Sequence, residues 1–339
     1  MKKRFVYLSV ALLCSLFVLT SCDSNDFDFD NNPKGNFEAL WTILDRNYCF
    51  FDYKDIDWDR VKIEYGARVT NSMSNDALFK LMAEMLSELK DGHVNLISSY
   101  DVSRYWSWRD DYPSNFEYSI IENYLSTDYY RASGMKYKIL EDNVGYIYYS
   151  SFSNDISNGA LNEILNIMSI CNGIIIDIRD NGGGSLTNVD RIASRFFNER
   201  TLVGYISHKV GRGHNDFSDL FPKYIESSNS LRYQKPVIIL TNRGCYSAAN
   251  EFVSTMKYAH NVTVVGDKTG GGSGFPFSSE LPNGWSVRFS TSPTFNANKE
   301  HIEFGVEPHI KFNMSYDDIF NNKDSYIEFA RKRINQSIK

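Results

Sequence analysis

The chain has 339 residues, 36 of them basic and 42 acidic, for a formal net charge of −6. That balance argues against nucleic acid or an anionic lipid surface as a partner. The length suits one large domain, or one with a small appendage.

Residues 1–21 read as a secretory signal: "MKKRFVYLSVALLCSLFVLTS" has a basic start, an apolar middle and a small-residue end. "LTSC" resembles the bacterial lipobox, which makes Cys22 the expected lipid-bearing first residue of the mature chain. Residues 22–36, "CDSNDFDFDNNPKGN", then read as an acidic, lipid-anchored linker. Loss of the signal removes Lys2, Lys3 and Arg4 and no acid, so the mature charge falls by three to −9. The expected location is the bacterial cell envelope, on its periplasmic or its outer face, with the membrane touched only through the anchor. Cys49, Cys171 and Cys245 remain, too scattered for a disulfide framework or a zinc site. They read as buried thiols, with one pair allowed.

Residues 37–97 read as a helical amino-terminal subdomain ending in a short strand, "HVNLI". Phe37, Leu40, Trp41 and Leu44 share a helical face, as do Leu78, Leu81, Met82, Met85 and Leu89. Asn75 and Asp76 stand where a cap is expected. Residues 98–138 read as an irregular insertion crowded with Tyr, Trp and Asp, either lining a groove or anchored against the surface. From 139 to 312 strands alternate with helices: "NVGYIYYSSF", "ALNEILNIM", "GIIIDIR", "NVDRIASRFF", "LVGYISH", "PVIIL" and its helix, "VTVVG", and the hairpin-like "SSELPNGWSVRFSTS". Alternation of this kind predicts an α/β core with parallel strands. Residues 313–339 read as a helical tail.

Four stretches carry chemistry. In "CYSAANEF" (245–252), Ser247 lies at the corner between a β-branched strand and a helix. A serine there is either an N-cap or a nucleophile presented beside free backbone N–H groups. "IIIDIRDNGGGS" (174–185) puts three glycines after a buried strand, giving N–H groups that can approach an oxyanion, or simply a tight turn. It lacks the Lys-Ser/Thr ending of a phosphate-binding loop. "LKDGHVNL" (89–96) offers His93 as a base, and "EFGVEPHI" (303–310) offers Glu307, otherwise a turn residue. Cys245 is a second nucleophile to weigh, two residues before the corner.

In this order the pieces resemble the tail-specific, or C-terminal processing, serine proteases, which include the tricorn core protease and the interphotoreceptor retinoid-binding protein. The resemblance spans most of residues 36–312 and also takes in "YCFFDYKDIDW" (48–58) and "VVGDKTGGGSG". It implies a Clp-protease/crotonase-like α/β core with an N-terminal helical subdomain. One branch of the family uses a Ser–Lys dyad, but Gly272 stands where that lysine belongs. The tricorn-like branch implies Ser247 as nucleophile, His93 as base and Glu307 as the acid orienting it. Tricorn's second serine, just before the histidine, is here Gly92. The segment between "HVNLI" and "NVGYI" is too short for the PDZ domain of many relatives.

The expectation is therefore a lipid-anchored serine peptidase acting on peptide or unfolded protein, with an oxyanion hole from the N–H groups of Ala248 and Gly183. No metal or organic cofactor is implied, and the oligomeric state is left open. The rival is a catalytically silent binding protein for a peptide or apolar ligand on the same scaffold.

Overall fold

The computed structural model describes residues 28–337. The expected signal segment, residues 1–21, and Cys22 lie outside the described residues.

Three helices open the fold: α1 (Pro33–Asn47), α2 (Trp58–Gly66) and α3 (Asn75–Ser87), followed by the short strand β1 (Asn95–Ile97). Each helix begins at a side-chain cap. Asn32 accepts from Gly35 N with Pro33 in the first turn, Asp57 accepts from Arg60 N, and Ser74 accepts from Ala77 N. The cap of α3 is thus Ser74, one residue before the expected pair; Asn75 opens the helix and Asp76 sits in its first turn, where the dipole favours an acid. Leu40, Leu44, Trp58, Leu78, Met82 and Met85 meet in one buried cluster, joined by Val287 and Phe289 from the distant hairpin.

Residues 98–138 are more regular than the sequence suggests. They contain a 3₁₀ turn (Ser107–Arg109), α4 (Tyr118–Leu125) and two strands, β2 (Tyr130–Ala132) and β3 (Met135–Ile139). Then come β4 (Gly145–Tyr149), α5 (Asn158–Met168), β5 (Ile174–Asp177), α6 (Leu186–Ala193), β6 (Thr201–Ile206), β7 (Phe221–Ile225), β8 (Val237–Thr241), α7 (Ala248–Met256) and β9 (Val262–Gly266). The chain ends with β10 (Phe275–Glu280), β11 (Ser286–Ser292), β12 (Thr294–Asn296), β13 (Ile310–Lys311), α8 (Tyr316–Phe320) and α9 (Ser325–Gln336).

The largest sheet runs β13-β9-β8-β5-β4-β3-β2, parallel from β13 to β4 and antiparallel beyond. Its centre is buried on both faces, which is why "III" of β5, ahead of Asp177, reads as an unbroken apolar run. One face, with Ile147, Ile176 and Ile239 in register, packs on α5, α6 and α7. The other, with Tyr146, Ile175, Ile238 and Val265, packs on α4 and α9. The expected helical tail is therefore a structural layer. A buried guanidinium locks it in place: Arg179, just past β5, bonds Asp177 through Nε (2.9 Å) and Nη2 (2.6 Å) and reaches Asp324, the N-cap of α9, through Nη1 (2.9 Å).

Two small sheets, β1-β11-β10 and β12-β6-β7, flank this core. Because β1 pairs with β11, the helical amino-terminal part shares both a sheet and a hydrophobic cluster with the core.

Candidate active site

Between β8 and α7 the chain turns at Ser247, whose backbone takes φ 57° and ψ −120°. A non-glycine residue there is strained, and strain of this sort is held in place only where the surroundings over-determine it. Here Ser247 N donates to Gly271 O at 2.8 Å, and Tyr246 N donates to Asn181 O at 3.0 Å. The Ser247 hydroxyl makes no capping bond to α7. It lies instead 3.0 Å from Nε2 of His93, which excludes the plain N-cap reading.

His93 arrives on the turn after α3. Asp91 shapes that turn by accepting from the His93 backbone N–H at 2.8 Å. The imidazole is almost fully buried, and burial pushes its pKa down to about 4; Asp91 opposes the shift, while Arg288 and Lys54 add to it. The ring is therefore neutral at neutral pH and able to accept a proton on Nε2. Its Nδ1 is buried with no hydrogen-bond partner among the described residues.

Glu307, expected to orient His93, does not reach it. Its half-exposed carboxylate pairs with Lys311 at 3.0 Å and lies 3.9 Å from Lys268. The cause is local: the chain reverses at Gly305 (φ 96°), which turns Glu307 outward and Glu303 inward. Glu303 is the buried acid of this segment, with Oε1 2.8 Å from Lys54 Nζ and Oε2 accepting from Ser273 N at 2.7 Å. Burial, with Asp91 nearby, holds its pKa up. Lys54 and Asp91 fall within stretches that carry the family resemblance, and Glu303 stands two residues before another, but spacing along the chain does not say which acid turns inward.

The glycine loop stands against Ser247. A Cβ on Gly183 (φ 100°) would lie 2.8 Å from Ser247 Cβ and from Ala248 N, so only glycine fits. The Gly183 N–H, however, donates to Asn181 Oδ1 at 2.9 Å, so this donor is already engaged. The Ala248 N–H opens α7 beside it. Asn242 joins this loop to the Ser247 turn, accepting from Asp180 N (2.9 Å) and Gly244 N (3.0 Å).

Cys245 is buried, donates its thiol to Ile178 O at 3.0 Å, and has its pKa pushed up by burial, which removes it as a nucleophile. Cys49 and Cys171 are likewise buried free thiols. The aromatic-rich insertion supplies Trp108, whose ring stacks on Tyr246 at 4.5 Å; Tyr246 in turn lies 5.0 Å from the His93 ring.

A serine on a strained strand-to-helix corner, a neutral histidine on its hydroxyl and a glycine loop beside both define a serine-hydrolase-type site on a crotonase-like core. The model of peptidase family S41 matches residues 143–312, and that of the tricorn protease C1 domain matches residues 29–87. The chain belongs to peptidase family S41, the tail-specific serine-type peptidases. The crystal structure of a candidate peptidase from Parabacteroides merdae is 52% identical, with a TM-score of 0.86, covering 90% of this chain and 97% of that one. Mature CPAF, 14% identical over 90% of this chain and 97% of its own, shares the fold with a TM-score of 0.67. The carboxy-terminal processing protease CtpA of Bacillus subtilis is 22% identical over 173 residues, which are 50% of this chain and 35% of that protein. The chain spans between 19% and 42% of the length of the curated relatives it matches.

Proposed function

We propose that the protein is an envelope-anchored serine peptidase in which Ser247 attacks a peptide carbonyl and His93 takes its proton. The observation that carries this reading is the 3.0 Å approach of His93 Nε2 to Ser247 Oγ at a strained corner. As the Oγ–carbon bond forms, the hydroxyl proton moves to Nε2; the imidazolium then gives it to the leaving amine. Water, deprotonated by the same nitrogen, hydrolyses the acyl-enzyme. The developing oxyanion takes the Ala248 N–H, and the Gly183 N–H once it is released from Asn181 Oδ1. The acid partner of the site is the buried pair Asp91 and Glu303, in place of Glu307. Asp91 favours the imidazolium through space, with no hydrogen bond to Nδ1.

The substrate class is peptide or unfolded protein, and Cys22 carries the lipid anchor. Fluorophosphonate labelling should modify Ser247 in the wild type and fail in His93→Ala, and Ser247→Ala should lose peptide digestion. Cys22→Ser should leave the membrane fraction or stall with its signal attached. The silent binding protein keeps one observation in its favour, the unpartnered Nδ1 of His93. Peptide digestion by Ser247→Ala at the wild-type rate would sink the peptidase reading.

A further inference from the structure

The loop after α1 sends a lysine into the protein interior. Lys54 Nζ, with its side chain 4% exposed, lies 2.8 Å from Glu303 Oε1 and 3.4 Å from Asp91 Oδ2. It also reaches the carbonyls of Leu89 and Lys90, each at 3.4 Å. Two separate segments are therefore tied to one ammonium. The first, residues 89–91, runs straight into His93, whose backbone N–H is held by the same Asp91 carboxylate. The second is Glu303, which accepts from Ser273 N at 2.7 Å through its side chain and from Gly272 N at 3.0 Å through its carbonyl. The neighbouring Gly271 O receives the N–H of Ser247.

We propose that Lys54 is a positioning residue that clamps the His93 segment to the Ser247 segment, so that the amino-terminal helical part completes the active site. The base and the nucleophile come from chain segments with no covalent reason to stay in register. The Nε2 to Oγ distance depends on whatever spans them, and Lys54 does so from a third segment.

The rest of its loop is fastened to the same two places. Tyr48 donates its hydroxyl to Asp91 Oδ2 at 2.9 Å, and the Tyr53 ring stacks at 3.9 Å on His301, two residues before Glu303. Phe50 and Phe51 are buried, and Lys54 N donates to Phe50 O at 2.9 Å, so the ammonium is delivered from a packed loop rather than from a free arm. A lysine whose only task was to neutralise a buried acid would need one partner. This one has a carboxylate on each side and two carbonyls on the His93 side.

The inference rests on Ser247 as nucleophile and His93 as base, so labelling of wild type and of His93→Ala is run first and settles that reading by itself. The variants then ask about Lys54. The groups facing Lys54 are Asp91, Glu303, Tyr48, Cys49 and Tyr53; those facing His93 are Asp91, Arg288, Lys54 and Tyr246. Lys54→Met in the full chain should fold, shown by an unchanged circular dichroism spectrum. Its fluorophosphonate labelling should slow on the order of 10²-fold, the loss expected of a small misplacement of reacting groups. Its acid limb should also move to higher pH, because Lys54 opposes protonation of His93. Lys54→Arg, which keeps the cation, should hold the wild-type limb. A variant merely weakened in stability would leave that limb where it was.

Lys54→Met/Glu303→Gln removes one charge of each sign and carries the test if the single variant does not fold. Labelling by this pair slower than by Glu303→Gln alone supports the clamp, because Glu303 belongs to the acid pair in its own right. Wild-type labelling by either variant would overturn it and reduce Lys54 to a counter-ion.

Discussion

The ring of Tyr246 fills the space that a side chain on residue 272 would need. Gly272 has φ 77°, and a Cβ built there runs into the tyrosine's ring carbons. The lysine of the Ser–Lys branch therefore has no room in this chain. Gly92, where the tricorn branch has its second serine, is crowded in the same way: a Cβ there would stand 2.9 Å from both Tyr246 Oη and Trp108 Nε1. Tyr246 thus occupies the ground of both missing groups, with Trp108 beside it at Gly92.

It follows that Gly272→Lys will not create a dyad. Displacing Tyr246, which bears directly on the nucleophile, should lower fluorophosphonate labelling of Ser247 on the order of 10²-fold. Mass spectrometry of the labelled peptide checks this, and labelling in Gly272→Lys/His93→Ala would show that a working dyad had formed.

Burial places the His93 pKa at about 4, so Ser247 labelling should stay level from neutral pH down through pH 6 and fall only on approach to about 4. A midpoint near the ordinary histidine value of about 6.5 would show that the imidazole is wetter than its surroundings here imply.

The same burial has a cost in stability. His93 and His301 are both held down to about 4 in the folded chain, below the unfolded value of 6.5, so the unfolded state takes up protons first. Stability should be complete above about pH 6.5 and decline as pH falls toward 4, at up to about 1.4 kcal/mol per pH unit for each group. Urea midpoints across that window measure it, and His301→Phe should flatten the slope.

Arg179→Met should be among the most damaging changes away from the nucleophile. It leaves the carboxylates of Asp177 and Asp324 buried without their cation, a loss of about 3–5 kcal/mol. The effect should appear as a lower urea midpoint and as loosening of α9, which Asp324 caps, read by amide exchange.

Gly183→Ala should lose turnover by displacing the turn beside it, at some cost in stability. The new Cβ would meet Ser247 Cβ and Ala248 N at 2.8 Å, pushing apart the nucleophile and the donor beside it. A fall on the order of 10²–10³ in kcat is the expected scale for a lost oxyanion donor. Unchanged turnover in a folded Gly183→Ala would remove this loop from the chemistry.

Much of the fold was legible along the chain because each element buries its own repeating pattern. The run "IIID" reads as a central strand since both its faces are covered, and Leu40 and Leu44 mark a helix because one side of α1 meets the core. Ser247 and His93 could likewise be singled out, the serine by its strand-to-helix corner and the histidine by its family motif. The family resemblance points to Glu307, and nothing along the chain marks Glu303 as the acid that turns inward. The two acids share one short segment, and the reversal at Gly305, together with an ammonium brought in from the loop after α1, decides which is buried. Nor could it show that "YRA" and "MKYKI" inside the aromatic-rich stretch would extend the main sheet, or that the C-terminal helix would cover its far face. Local periodicity reports which residues seek burial. Which partner they find there depends on contacts between segments far apart in the chain, and only the closed tertiary structure brings those together.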